Sequence, residues 1–318
     1  MIRRELDAAG IHRPALRAAY ERCRRLNAAH GRTYFLAARL LPAARRPAIH
    51  ALYGFARWVD DVVDGSPARA EAPSTARTAD QLDEIDSALH AALDSGEAPD
   101  DHPVLSALVD SASRYGIAHH HFTEFMAAMR MDLAVTDYAT RADLNAYVHG
   151  SAEVIGLQVL PVLGTSTPDE AGPHAAALGN AFQTTNFLRD VGEDLDRGRV
   201  YLPADELAAF GVDRERLLRC RRRGEPDPPV RRALSDQVAR IQDLYRRAEP
   251  GIAMLDPVAQ PCVATARTLY GEILDRVVES GYDVFRHRLA VPNSRRLGVA
   301  VPALATALAA RATADRPR

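Results

Sequence analysis

In the segment RWVDDVVDG, residues 57–65, three carboxylates (Asp60, Asp61 and Asp64) are interleaved with Trp58, Val59, Val62 and Val63. A solvated helix face tolerates carboxylates but has no use for four large apolar neighbours. A buried face wants the apolar residues but rejects the acids, because an isolated buried carboxylate is strongly destabilising unless it is paired or bound to metal. Any fold of this chain must therefore neutralise these acids beside an apolar surface. In a helix, Asp60 and Asp64 share one face about 6 Å apart along the axis. Arg57 lies on the same face, and Tyr53 one turn further back.

Good helix formers (Ala, Leu, Arg, Glu) dominate the rest of the chain, and alternating β-branched runs are scarce. The pattern predicts an all-α fold, with helices near 15–40, 44–64, 79–94, 102–115, 119–132, 141–163, 169–195, 229–248, 259–285 and 301–312. Pro42, Gly65 with Pro67, Pro99 and Pro168 act as breakers or caps. Residues 65–79 and the Pro-rich CRRRGEPDPP at 220–229 read as loops. Helical periodicity resumes on both sides of each without a change in composition, so one domain covering 1–318 is expected.

Composition removes several classes of function. A hydrophobic share of 47% permits a sizeable core, and a formal charge of −2 lacks the basic excess of a general nucleic-acid binder. All 40 basic residues are arginine. P-loops, Schiff-base lysines and pyridoxal phosphate sites need a lysine and are excluded. Phosphate recognition must use arginine, backbone N–H groups or metal. Cys23, Cys220 and Cys262 are widely spaced and suggest reduced thiols in a cytoplasmic protein. The start MIRRELDAAGIHRPALRAAY has no apolar core of a secretory signal. The longest uncharged apolar stretch, VIGLQVLPVLG at 154–164, is too short to span a bilayer.

A second acid stripe lies in QTTNFLRDVGEDLDRGRVYLP, residues 183–203. Asn186, Asp190 and Asp194 step by four along one face, Gln183 and Glu193 are close to it, and Arg189 is adjacent. A lone DxxxD also fits a solvated face, but two such stripes in apolar sequence fit it poorly. Mg2+ takes carboxylate oxygens and commonly bridges protein to substrate phosphates, so two facing stripes suit a diphosphate held through Mg2+, with Mn2+ as an alternative. Stabilising diphosphate as it leaves makes a carbocation accessible.

YGFARWVDDVVDG and NFLRDVGEDLDRGRVYLP resemble the two signature segments of the squalene and phytoene synthase family, the head-to-head prenyl transferases. The resemblance extends through residues 30–53, 147–164 and 282–297, covering about 25–297. It implies an isoprenoid-synthase helical bundle around a central apolar cavity. Asp60 and Asp64 match the first metal-binding pair, with Asp61 accessory. Asp190 and Asp194 match the second, with Asn186 and Gln183 lining the same site. Arg57 and Arg189 match positions that touch diphosphate. Tyr53, Tyr147 and Tyr270 match tyrosines near the cavity, where ring faces can stabilise a cation; a core role suits Tyr147 and Tyr270 as well. Tyr201 belongs to the flap after the second motif. Tyr34 and Ala38 fall along the tail pocket, where a small residue at 38 favours C20 geranylgeranyl diphosphate over C15 farnesyl diphosphate.

The implied reaction is phytoene formation through a cyclopropylcarbinyl diphosphate, ended by proton loss, so NADPH is not expected. The alternatives are a C15-using squalene, presqualene or dehydrosqualene synthase, a terpene cyclase, and a non-catalytic assembly protein. An apolar C40 product implies peripheral contact with the inner face of the membrane. Three features depart from the pattern or stand outside it. His287 falls where a diphosphate-facing arginine is expected, with Arg286 and Arg288 beside it. Glu153 replaces an expected small residue. The triplet His119, His120 and His121 reads as a tag-like surface run, since consecutive residues diverge around a helix.

Overall fold

Proline occupies the first turn of six helices, where its missing N–H has no intrahelical partner to lose. A computed structural model describes residues 2–64, 75–98 and 102–314, and among the described residues there are helices but no strand. In chain order they are α1 (Ile2–Ala8), α2 (Pro14–His30), α3 (Arg32–Ala38), α4 (Arg46–Val63), α5 (Thr75–Ser95), α6 (Pro103–Tyr115), α7 (His120–Met131) and α8 (Arg141–Val148). A π-helix (His149–Glu153) leads directly into α9 (Val154–Leu163). There follow α10 (Pro168–Arg189), α11 (Val191–Asp196), α12 (Ala204–Ala208), α13 (Arg214–Arg223), α14 (Pro228–Met254), α15 (Gln260–Glu279) and α16 (Asn293–Ala314).

The all-α expectation holds, and several boundaries move for local reasons. The helix expected over 15–40 breaks at Gly31. A Cβ there would lie 2.5 Å from Asn27 Oδ1 and 2.7 Å from the Tyr53 ring, so only glycine lets α4 approach so closely. The helix expected over 169–195 breaks at Asp190, which caps α10 and precedes α11. The 259–285 helix stops at Glu279, and Tyr282 turns the chain with φ +67°, a conformation that costs a non-glycine residue roughly 1 kcal/mol or more. The loop expected at 220–229 shrinks, because α13 continues to Arg223 and Asp227 caps α14 by accepting from the Val230 N–H at 3.0 Å. Helices α1, α12 and α13 were not expected, and α16 begins earlier, at Asn293. Gly65, Pro67 and Pro99 lie outside the described residues.

The long helix α10 organises the molecule, packing against α14, α15, α9 and the π-helix. Gly179 makes the last contact possible: a Cβ there would lie 2.3 Å from the Ala152 carbonyl oxygen. The run Arg141–Leu163 is continuous through the π-helix, which makes it long and apolar enough by composition to cross a bilayer. The shorter window at 154–164 concealed this. Half of it is buried, and its Gln158 donates to the His121 carbonyl, as suits a core helix. Opposite it, the chain after α11 is stitched to the loop after α7 by Val200 N–H to Thr136 O at 2.8 Å and Ala204 N–H to Tyr138 O at 2.9 Å. That seam fixes where Arg199 and Tyr201 stand.

Candidate active site

The end of α4 faces the junction of α10 and α11 across a polar pocket of about 210 Å³. Asp60 and Asp64 come from one side, and Gln183, Asn186, Asp190 and Asp194 from the other. The two stripes read from the sequence therefore converge. Asp64 caps α4, its N–H bonded to the Asp60 carbonyl at 2.8 Å. The kink at Asp190 turns its carboxylate back toward α10, while the Asp194 N–H is anchored on the Asp190 carbonyl.

Arginines form a collar around these acids. Arg189 donates to Asp190 through Nε at 2.7 Å and Nη2 at 2.6 Å. Arg288 donates to the same carboxylate at 3.0 and 3.1 Å although its side chain, like that of His287, is exposed. Arg199 reaches Asp64 at 3.2 Å and the Asp132 carbonyl at 3.2 Å. Burial works against the Arg199 charge, yet Tyr201, Asp132 and Asp64 hold its pKa above the ordinary range.

Two carboxyls stay short of compensation. Burial, and then the Asp64 carboxylate, pushes Asp60 up to about 7, with Arg57 opposing. Burial, and then Asp190, pushes Asp194 up to about 7, with Arg197 and Arg199 opposing. Asn186 Oδ1 is buried and accepts no hydrogen bond. Clustered carboxylates, two of them without an ion-pair partner of their own among the described residues, together with a spare amide oxygen fit a hard divalent cation such as Mg2+.

Asp132, Arg197 and Arg199 were not singled out in the sequence. Asp132 sits just past α7, where Tyr147 donates to it at 2.6 Å and Tyr201 at 3.3 Å. Its one signal is a lone acid in the apolar stretch MDLAV. Tyr201 stacks on Phe187 with centroids 4.1 Å apart and planes 4° apart, closing one side of the pocket. Arg57 and Asp61 are placed differently from the other candidates: they pair with each other along α4, and neither lines this pocket.

Gln183 also lines a second, apolar cavity of about 290 Å³. Tyr34, Ala38 and Tyr53 border it, and Ala38 is buried beneath it. Tyr270 stacks behind this wall, 5.2 Å from Tyr34 and 4.4 Å from Phe182 between centroids. Along α10 the lining runs from Gln183 back to Ala171, about 18 Å at the helical rise.

An all-α chain that joins a carboxylate–arginine pocket to a long apolar cavity has the architecture of an isoprenoid synthase. The family model for squalene/phytoene synthase matches residues 27–295, and the chain belongs to that family. The phytoene synthase of Arthrospira platensis is 38% identical over 297 residues, spanning 89% of this chain and 92% of its own length. The 15-cis-phytoene synthase of Synechococcus elongatus is 38% identical over 294 residues, spanning 89% and 91%. Among solved structures, a dehydrosqualene synthase in complex with ligand superposes with a TM-score of 0.80 at 24% identity, covering 92% of this chain and 98% of that one. The squalene synthase HpnC of Alicyclobacillus acidocaldarius gives 0.74 at 27% identity, covering 86% and 98%.

The raised carboxyls have a consequence for stability. The unfolded chain ionises them near 3.8, whereas the fold keeps Asp60 and Asp194 protonated to about 7. The folded state then binds more protons across that window, so their contribution to metal-free stability is lost as pH rises through it, between about pH 4 and pH 7. In chelator-treated protein, denaturant unfolding should show this decline for wild type relative to Asp60→Asn/Asp194→Asn. Parallel pH profiles for the two proteins would mean that the carboxyls titrate normally.

Proposed function

We propose that this chain is a phytoene synthase, a prenyltransferase of carotenoid biosynthesis that joins two geranylgeranyl diphosphates head to head. The observation that carries the proposal is Gln183, which lines both the polar pocket of about 210 Å³ and the apolar cavity of about 290 Å³ and so sets the two side by side. The relatives named phytoene synthase, matched over most of their length, support the C20 substrate and the C40 product. Residues 1–318 act as one catalytic domain.

In this reading Arg189, Arg199 and Arg288 bind the diphosphate, as bidentate guanidinium groups do well. Mg2+ (or Mn2+) held by Asp60, Asp64, Asp190 and Asp194, with Asn186 beside them and Asp61 as an outer partner of Arg57, would neutralise charge on the departing diphosphate. The first allylic C–O bond breaks, the C1 cation alkylates the double bond of the second substrate, and proton loss closes the cyclopropane of prephytoene diphosphate. A second ionisation, rearrangement and a final proton loss give phytoene, with no call for NADPH. Tyr34, Tyr53, Tyr147 and Tyr270 have pKa values raised first of all by burial, so they remain neutral phenols. Their ring faces can stabilise a passing cation without trapping it. Tyr201 and Phe187 form an apolar wall of the polar pocket.

Release of a C40 hydrocarbon calls for a lipid surface, and α16 offers one. Leu297, Val301, Leu304 and Leu308 are 57%, 63%, 42% and 54% exposed, and their spacing of four, three and four puts them on one face. On the buried face, Ala307 packs with Ala171, Leu255 and Cys262 at the cavity end away from Gln183. This supports peripheral docking on a membrane, which for a cytoplasmic protein is the inner face.

The deciding experiment is product analysis with purified protein and Mg2+, supplying geranylgeranyl and farnesyl diphosphates separately, with and without NADPH. The expected product is a C40 triene from the C20 substrate, independent of NADPH. A C30 product, or a cyclised C15 or C20 hydrocarbon, would overturn the substrate assignment, and no turnover would overturn the enzyme. Ala38→Phe should shift kcat/KM toward farnesyl diphosphate by at least about tenfold; unchanged preference would remove Ala38 from the tail pocket. Co-sedimentation with liposomes should fall sharply for Leu297→Ser/Val301→Ser/Leu308→Ser, and equal pelleting of variant and wild type would exclude α16 as the docking face.

A further inference from the structure

His119 and His120 are exposed and His121 is half-buried, yet two of the three rings converge. His120 opens α7 and His121 follows, and with no preceding helical turn in the way their rings meet at 4.0 Å between centroids. Glu124 stands four residues after His120 and three after His121, so it neighbours both on the helix surface. The ligating atoms of His120, His121 and Glu124 lie within 4.8 Å of one another. A fourth donor arrives from a different element: His149, at the head of the π-helix, places Nε2 3.6 Å from Glu124 Oε2.

The arrangement behind His149 is the informative part. Its Nδ1 lies 3.0 Å from Glu153 Oε2, and Glu153 Oε1 accepts from Asn180 Nδ2 at 2.7 Å. A neutral imidazole that donates its Nδ1–H in a hydrogen bond to a carboxylate carries its lone pair on Nε2, and here that carboxylate is itself oriented by a third group. This is the outer shell that orients metal-ligating histidines. It also gives Glu153 a role that its sequence position did not suggest.

We propose that His120, His121, Glu124 and His149 form a binding site for a borderline divalent transition cation of the Zn2+ type, with Glu153 and Asn180 as its outer shell. Imidazole with a single carboxylate suits Zn2+ and its neighbours in the series, whereas the all-oxygen pocket suits Mg2+, so the two sites sort their metals by chemistry. The new site lies behind the apolar cavity. Ser151 and Ala152, within the same π-helix as His149, and Gly179, next to Asn180, line that cavity. A cation here ties α7 to the π-helix and braces the cavity wall without touching substrate.

The test is Zn2+ binding to chelator-stripped full-length protein by equilibrium dialysis in excess Mg2+, together with visible spectra of the Co2+-loaded protein. Wild type should bind one Zn2+ per chain and show Co2+ ligand-field bands. His121→Ala/His149→Ala should lose both signals while retaining Mg2+-dependent turnover, which also reports that it has folded. Glu153→Gln should bind about 10- to 100-fold more weakly, as expected for loss of an outer-shell partner. Asp190→Asn should keep the site. Absence of stoichiometric Zn2+ in wild type, its persistence in the double variant, or its loss in Asp190→Asn would each overturn the proposal.

Discussion

Carboxylates from two separate helices face one another across a pocket too sheltered for all of them to ionise. Like charges in partial burial repel more strongly than in water, because less solvent screens them. Burial and like charge push the pKa values of Asp60 and Asp194 up to about 7, while Asp190 is gripped by two arginines and Asp64 by a third. The protein has thus assembled fixed negative charge with a cationic collar already in place. Such a site accepts a divalent cation and an anion together more readily than either alone. The kink after Arg189, the seam joining Val200 to Thr136, and the left-handed turn at Tyr282 all put these groups in register.

The second constraint is that this charge must adjoin an oily space. Helix α10 achieves it by carrying polar lining at its C-terminal end and apolar lining along the rest. Close approach of backbones, as at Gly179 against Ala152, lets the π-helix and α9 form the cavity wall with small side chains and leaves room for a tail. Buried tyrosines then provide electron-rich faces without fixed charge.

Much of this was legible in the sequence, because acids embedded in apolar helices leave a periodic trace. The two stripes and the family pattern rest on that trace, and the all-α class rests on the dominance of helix formers. Breaks at Gly31 and Asp190 were not legible, since each depends on what lies across the gap: the Tyr53 ring in one case and the arginine pair in the other. Asp132 and Arg199 escaped notice because their partners are distant in the chain and no spacing rule connects them. Arg57 and Asp61 show the reverse. The family resemblance implied a place at the site for both, but i,i+4 neighbours can also pair with each other, as these two do. The histidine triplet reads as a surface run, and His119 and His120 are indeed exposed, but helical divergence is a rule for helix interiors, and the His120 and His121 rings meet where α7 begins.

The central claim is that the acid pocket binds diphosphate and divalent metal as one unit. The most direct measurement is the thermal stability of the purified protein with inorganic diphosphate, with Mg2+, and with both. The account predicts that the joint shift in Tm exceeds the sum of the separate shifts, and that Asp190→Asn abolishes the excess. A full shift from diphosphate without Mg2+, or an undiminished excess in Asp190→Asn, would contradict it.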